Sequence, residues 1–441
     1  MASKKHKIVV FGSGFVSAPM IDFFLNRPGY HLTVATPEVE KAREMIGDAK
    51  NGTVVDWSLE KSELTEKLVD SHELAVSLLP AKLHDNIAIA CLTKKRHLVT
   101  TSYTTEFVSQ VADVVKRAGV VFLNEVGADP GIDHMSAMRV IRNEKAKGGK
   151  IESFRSLCGG LPAPESNDNP FGYKFSWNPE GVLIASTQDA RFLKDGKEVN
   201  IFGTDLFNSH EEISYEGVGS LWHYPNRDSY PYIFKYDLTG AKTMYRGTLR
   251  YPQWCETLYY LIKRGYLGGH ELNLHDRTYA DLTRLHLGIE DLAPQRVAAA
   301  LEVSPGSEVV STMDWLGLFE EIPIGLGKAT PRRALAKLMS DKMRYQEGER
   351  DVIVLDHEFI VNHGKVKEKI KSTLITYGKE NGEMAMARTV SLPAALVACL
   401  IVEGGFTEPG VHIPVHPEIY EPVLDQLAEL DIEFKETRSE V

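Results

Sequence analysis

Lys7-Ile8-Val9-Val10-Phe11-Gly12-Ser13-Gly14-Phe15-Val16-Ser17 decides the fold. The run Lys7–Phe11 reads as a short buried strand, two glycines follow at once, and the apolar periodicity from Phe15 to Leu25 reads as a helix. A glycine turn between strand and helix lets the backbone approach a pyrophosphate, which then rests on helix N–H groups at the positive end of the dipole. The third position of this fingerprint is Ser17 rather than Gly or Ala, so the match is imperfect and leans on its surroundings.

Those surroundings agree. Leu32–Ala35, Thr53–Val55, Glu73–Leu79, His97–Thr100 and Val120–Leu123 read as five more strands, and Val39–Ile46 and His84–Leu92 read as helices among them. Such alternation predicts an α/β domain of Rossmann type, a parallel sheet with helices on both faces. The end of the second strand selects the ribose. Glu38 suits the 2′-hydroxyl of NAD, while Lys41 and Arg43, one helical turn on, offer charge to a 2′-phosphate, so NAD and NADP both stay open.

After Glu125 the style changes. Turn residues become denser, and Asp195-Gly196 between two short runs predicts a hairpin. Thr243–Tyr251 and Val352–Ile360 read as strands, the stretch from Trp254 to Arg344 as mostly helical, and Leu392–Val402 and Ile419–Leu430 as late helices. The expected organisation is a cofactor domain over 1–128 completed by C-terminal helices at about 390–441, a mixed α/β substrate domain over 129–252 and 346–389, and a helical insert over 253–345.

Composition bounds the function. Among 441 residues, 50 Lys and Arg stand against 61 Asp and Glu, a net charge of −11, which argues against a nucleic-acid or anionic-lipid surface but not against a small basic pocket. The four cysteines, at 91, 158, 255 and 399, have no metal-ligand spacing, so no metal is expected, and they suit a reducing compartment. The basic start Met1–Lys7 precedes an apolar run that breaks at Gly12, too short for a signal peptide. The apolar run Leu392–Val402 is about 11 residues, short of the ~20 a membrane span needs, so no membrane partner is expected.

Several residues suggest a substrate. Asn124-Glu-Val-Gly127-Ala-Asp129-Pro130-Gly131 leaves the sixth strand at the edge where open α/β sheets bind ligands. Asp129 reads as the N-cap of the next helix and Pro130 as its first residue, a role compatible with holding a substrate ammonium. Ser102 and Tyr103 put two hydroxyls on the same edge. Cys158 precedes Gly159-Gly160, which suggests open space beside its thiol. Arg246, Thr248 and Arg250 share one face of a strand, and Arg227 lies in a second cluster; arginine forks suit a ligand with several carboxylates, although salt bridging to the acidic excess is an alternative.

Gly12-Ser-Gly-Phe-Val, Val76-Ser-Leu-Leu-Pro, Thr100-Thr-Ser-Tyr, Asp129-Pro-Gly-Ile-Asp-His, Cys158-Gly-Gly-Leu-Pro-Ala-Pro-Glu-Ser, Gly172-Tyr-Lys-Phe-Ser-Trp, Tyr224-Pro-Asn-Arg-Asp-Ser and Arg246-Gly-Thr-Leu-Arg-Tyr occur in this order. Together with Trp315-Leu-Gly-Leu-Phe and Ala385-Met-Ala-Arg, they make nearly the whole chain resemble the L-glutamate-forming saccharopine dehydrogenases, or saccharopine reductases. The resemblance implies an NADP- or NAD-dependent oxidoreductase of lysine metabolism. It would condense 2-aminoadipate 6-semialdehyde with L-glutamate and reduce the imine to saccharopine, reversibly, as a homodimer, while the scattered cysteines and the short apolar runs lead us to expect a cytoplasmic protein. It implies that Ser13, Gly14, Phe15, Val16, Asp56, Leu78 and the Asn124–Gly131 loop, with Gly127, surround the cofactor, and that Lys174 and Phe175 approach it. Ser102, Tyr103, Asp129, Arg227, Thr248, Leu249 and Arg250 would hold saccharopine, and Asp129 and Cys158 are the candidates for moving protons. Pro37 stands where NADP-dependent fungal members carry an Arg. A polyamine-type imine reductase and a non-catalytic dinucleotide sensor are the alternatives.

Overall fold

The computed structural model describes residues 5–441; the first four residues of the basic start lie outside them. It divides into two compact units, residues 1–151 with 359–441, and residues 152–358.

The first unit opens with β1 His6–Phe11, α1 Ala18–Leu25, β2 Tyr30–Thr36, α2 Val39–Ile46, β3 Gly52–Asp56, α3 Ser62–Asp70, β4 Leu74–Ser77, α4 His84–Lys94 and β5 His97–Thr100. Short helices α5 Glu106–Gln110 and α6 Ala112–Ala118 lead to β6 Val121–Leu123 and α7 Ile132–Ala146. The expected alternation is therefore present. Apart from the edge strand β3, none of whose residues is buried, the strands are mostly buried, which fits the continuous apolar runs of a parallel sheet covered on both faces.

The second unit takes most of β7 Lys150–Pro162, then α8 Pro179–Ala185, β8 Ala190–Lys194, β9 Lys197–Ile201, β10 Glu211–Tyr215, β11 Gly219–Pro225, α9 Tyr232–Lys235 and β12 Thr243–Arg250. Strands β10, β11 and β12 run antiparallel in sequence order, and β12 lies parallel to β7, so the sheet is mixed. The β8–β9 hairpin turns at Asp195 (φ 50°) and Gly196 (φ 77°), the paired left-handed residues that the Asp-Gly signal called for. Helices α10 Pro252–Lys263, α11 Tyr279–Leu287, α12 Pro294–Leu301, α13 Glu308–Leu316 and α14 Pro331–Lys342 follow, with a two-strand link of β13 Leu272–Asn273 and β14 Lys328–Ala329. Their apolar faces share one core with Phe171, Tyr173 and Phe175. β15 Asp351–Asn362 leads the chain out of this unit.

The chain returns to the first unit through β16 Lys367–Tyr377, α15 Ala385–Val402, β17 Gly410–His412, α16 Pro417–Ala428 and β18 Lys435–Glu440. Here the structure adds three strands, β16, β17 and β18, to the expected late helices. β17 pairs parallel with β6, so the sheet has seven strands in the order β17-β6-β5-β4-β1-β2-β3. β18 pairs antiparallel with β16, although every one of its residues is exposed and no apolar alternation marks it. Helix α15 is longer than its apolar run suggests. At 18 residues it has the length and apolarity of a membrane span, but 72% of it is buried, and it packs on α1, α16, β4 and β5 as a core helix.

Candidate active site

Strand register brings the residues expected around the cofactor in the first unit to one edge. Phe11 pairs with Ala35 and with Ser77, Thr36 pairs with Asp56, Ser77 with Thr100, and Val99 with Leu123. The carboxyl ends of six strands therefore align. Between β1 and β4 the strand order reverses, and ligands bind at such a switch point.

The glycine loop sits there. Gly12 has φ 106°, a region open to glycine, and a Cβ on it would stand 3.4 Å from the carbonyl oxygen of Leu78. A Cβ on Gly14 would meet nothing within 4 Å, so open space lies over the loop. Ser13 is buried and its hydroxyl lies 2.7 Å from that of Thr36, which joins the loop to the end of β2. Phe15 is 61% exposed. Glu38, just beyond β2, pairs with Lys41 at 3.3 Å, and Arg43 pairs with Glu40, so both cations expected near the ribose already have acidic neighbours. Asp56 pairs with Lys61 at 3.1 Å.

The Asn124–Gly131 loop differs from its expected form. Asp129 does not cap the helix, and α7 begins at Ile132 rather than at Pro130. The reason is a tight return: the N–H of Gly127 donates to the carbonyl of Pro130 and that of Ile132 to the carbonyl of Gly127. Gly131 has φ 150°, and the Asp133 carboxylate accepts its N–H at 2.6 Å. Asp129 is thereby left at the loop, where the Tyr103 hydroxyl donates to its Oδ1 at 3.1 Å. Buried Asn124 accepts from the Thr100 hydroxyl, but its Nδ2 has no hydrogen-bond partner among the described residues. His134 is structural: its ring is buried, 2.9 Å from Glu125. Ser102 touches His84, which sequence reasoning did not single out.

In the second unit several of the residues expected to hold the substrate lie on adjoining strands. Cys158 of β7 pairs in register with Thr248 of β12, which pairs in turn with Tyr224 of β11. A Cβ on Gly159 would stand 2.7 Å from the Cβ of Leu249, so this glycine permits the close approach of β7 and β12 rather than simply opening space beside Cys158. Arg250 is 7% exposed, donates through Nη1 to the carbonyl of Leu249 at 2.7 Å, and holds its guanidinium 4.9 Å from the Tyr173 ring centre. Its Nε has no hydrogen-bond partner, and no carboxylate among the described residues pairs with it. Arg227 follows β11 in a left-handed turn at φ 53°. Lys174 is buried between Asp168 at 2.8 Å and Glu349 at 2.5 Å, and it holds the Asp168 carboxyl below its usual range. Phe175 packs into the aromatic core beside Tyr173 and Trp254.

Residues 8–123 match the family model of the saccharopine dehydrogenase NADP binding domain, and residues 127–432 match that of the saccharopine dehydrogenase C-terminal domain. This chain belongs to the saccharopine dehydrogenase family. It is 34% identical to the saccharopine dehydrogenase (NADP(+), L-glutamate-forming) of Pyricularia oryzae, over 99% of each chain. It is 35% identical to the mitochondrial alpha-aminoadipic semialdehyde synthase of Bos taurus, covering 97% of this chain and 47% of that longer protein. Apo saccharopine dehydrogenase (L-Glu forming) from Saccharomyces cerevisiae superposes with a TM-score of 0.87 at 31% identity, over 98% of this chain and 100% of that one. The Rossmann-type α/β unit and the mixed sheet expected from the sequence are thus those of the saccharopine dehydrogenase family.

Proposed function

We propose that this chain catalyses the reversible, NADP- or NAD-dependent condensation of 2-aminoadipate 6-semialdehyde with L-glutamate to saccharopine in lysine metabolism. The observation that carries this reading is Arg250, a buried guanidinium with an unused Nε and no carboxylate paired with it among the described residues. A buried charge without a partner is costly, and a ligand carboxylate relieves that cost. Saccharopine has three carboxylates, and Arg227 is the second arginine that the family resemblance implies for them.

The first unit suits the cofactor. The space over Gly14 fits a pyrophosphate, and the orphaned amide of Asn124 offers a buried donor at the carboxyl edge of the sheet. A bound nicotinamide supplies the hydride in one direction and takes it in the other. The protein's part is to bind, exclude water and move protons. The glutamate amine must be neutral to attack the aldehyde, and Asp129 and Cys158 are the groups assigned to carry that proton. The Tyr103 hydroxyl donates to Oδ1 of Asp129 and helps to orient that carboxylate.

The test is an assay of purified protein. Oxidation of NADPH or NADH should occur only with both the semialdehyde and glutamate present. Turnover with a diamine replacing glutamate would point to a polyamine-type enzyme, and binding of the dinucleotide without turnover to a sensor. Family resemblance also supports a homodimer, which light scattering would check, and the four cysteines without a disulfide suit a cytoplasmic location.

A further inference from the structure

His84 opens α4 with its ring 1% exposed. Its Nδ1 lies 2.8 Å from the Ser77 hydroxyl and its Nε2 lies 2.8 Å from the Ser102 hydroxyl. Burial lowers this imidazole to about 4, so at neutral pH it carries one proton on one of its two nitrogens. The serines decide which.

Ser77 is fully buried at the end of β4, and its hydroxyl has no other hydrogen-bond partner among the described residues. If Nδ1 carried the proton, Ser77 would accept it and its own hydrogen would have nowhere to go, the costly case of a buried donor left unmade. If Nδ1 is bare, Ser77 donates to it and the site is satisfied. The proton then sits on Nε2 and is donated to Ser102, which uses one lone pair of that hydroxyl. The hydrogen of Ser102 is left pointing away from His84. Ser102 is only half-buried, and its hydroxyl has no other partner among the described residues.

We propose that His84 is a positioning residue whose Nε2–H tautomer, set by Ser77, orients Ser102 as a hydrogen-bond donor to a substrate carboxylate. This rests on the reading of Ser102 as a saccharopine-binding residue. The relay ends at a fully buried hydroxyl, so it orients Ser102 and does not conduct protons to solvent.

Two measurements test it. In ligand-free protein labelled with 15N-histidine, and with the His84 signal assigned through H84Q, Nε2 should show the pyrrole-type shift and Nδ1 the pyridine-type shift. The reverse pattern overturns the proposal. This experiment needs no substrate, so a failed saccharopine assay beside the expected shifts would count against the proposed function alone.

The second measurement is kinetic. Gln places its amide nitrogen near the Nε2 position and keeps a donor for Ser102, whereas Asn reaches only the Nδ1 position. H84N should raise the saccharopine KM about tenfold, the scale of one hydrogen bond to a charged group, and H84Q should recover most of it. The double variant H84N/S102A should be no worse than S102A, and NADPH affinity should change less than about twofold. Equal effects of H84N and H84Q, or additive effects with S102A, overturn the proposal. Should H84N not fold, H84L, which also lacks the donor, takes its place in the cycle, and additivity with S102A there overturns the proposal equally.

Discussion

Arg250 sets the clearest expectation for a single side chain. Its Nε has no hydrogen-bond partner among the described residues and its guanidinium lies over Tyr173. Arg250→Ala should weaken saccharopine binding by about 10- to 100-fold, the loss of a charge-assisted pair, while NADPH affinity changes little. Titration calorimetry with each ligand separates the two, and an equal loss for both would remove Arg250 from the substrate site. Lys is no substitute, since it lacks both the fork and the flat face that meets the ring. Glu38 is the residue expected from the sequence to face the cofactor's ribose. Glu38→Gln removes the negative charge at the end of β2, so the ratio of kcat/KM for NADPH over NADH should rise, and an unchanged ratio would place the ribose elsewhere. Arg250 was legible in the sequence because alternation along one strand exposes a pair of arginines on one face. Ser102 was found through the resemblance, but His84 was not, because its meaning depends on two serines 7 and 18 positions away that meet only in the fold.

Among the elements, those specified by neighbouring residues were the ones legible in advance. The glycine loop, the Asp195-Gly196 hairpin and the parallel strands of the first unit each announce themselves within a dozen residues. The start of α7 did not, because Asp129 and Pro130 carry good capping chemistry locally while the return of the chain onto Gly127 overrides it. Strands β17 and β18 were missed for a related reason. The first is three residues long and the second is wholly exposed, so pairing alone makes them strands. The Asn124–Gly131 loop yields its own expectation. A Cβ on Gly131 would fall 2.0 Å from the carbonyl oxygen of Gly127, at φ 150°. Gly131→Ala should therefore lower the thermal midpoint by more than about 5 °C and abolish cofactor binding, both read in one thermal-shift experiment with and without NADPH. A stable variant with normal NADPH binding would show that the loop tolerates another path.

For the molecule as a whole, two buried histidines contribute to the response to acid. Burial lowers His84 in the first unit to about 4, and burial with help from Arg155 lowers His223 in the second to about 4. Unfolded, each takes up a proton near 6.5; folded, neither does until about 4. Stability is therefore undiminished by these groups above pH 7 and falls as pH drops from about 6.5 to 4, by up to about 3 kcal/mol for each. Urea unfolding at pH 7, 5.5 and 4.5 should show this decline, and a flat profile would mean that the rings are not held neutral. The net charge of −11 describes the exterior, while the group assigned to the substrate is an inward arginine.

The seventh strand has a consequence for how the protein is made. A ribosome delivers β6 early and β17 near the end of the chain. At roughly 5–20 residues per second, the interval between Leu123 and Gly410 is on the order of tens of seconds. Throughout it the nascent sheet carries an open edge along β6, where backbone groups await Gly410–His412. The dinucleotide fold, first in the sequence, is thus among the last parts to be finished, and a polypeptide released before Gly410 would leave the ribosome with that edge uncovered.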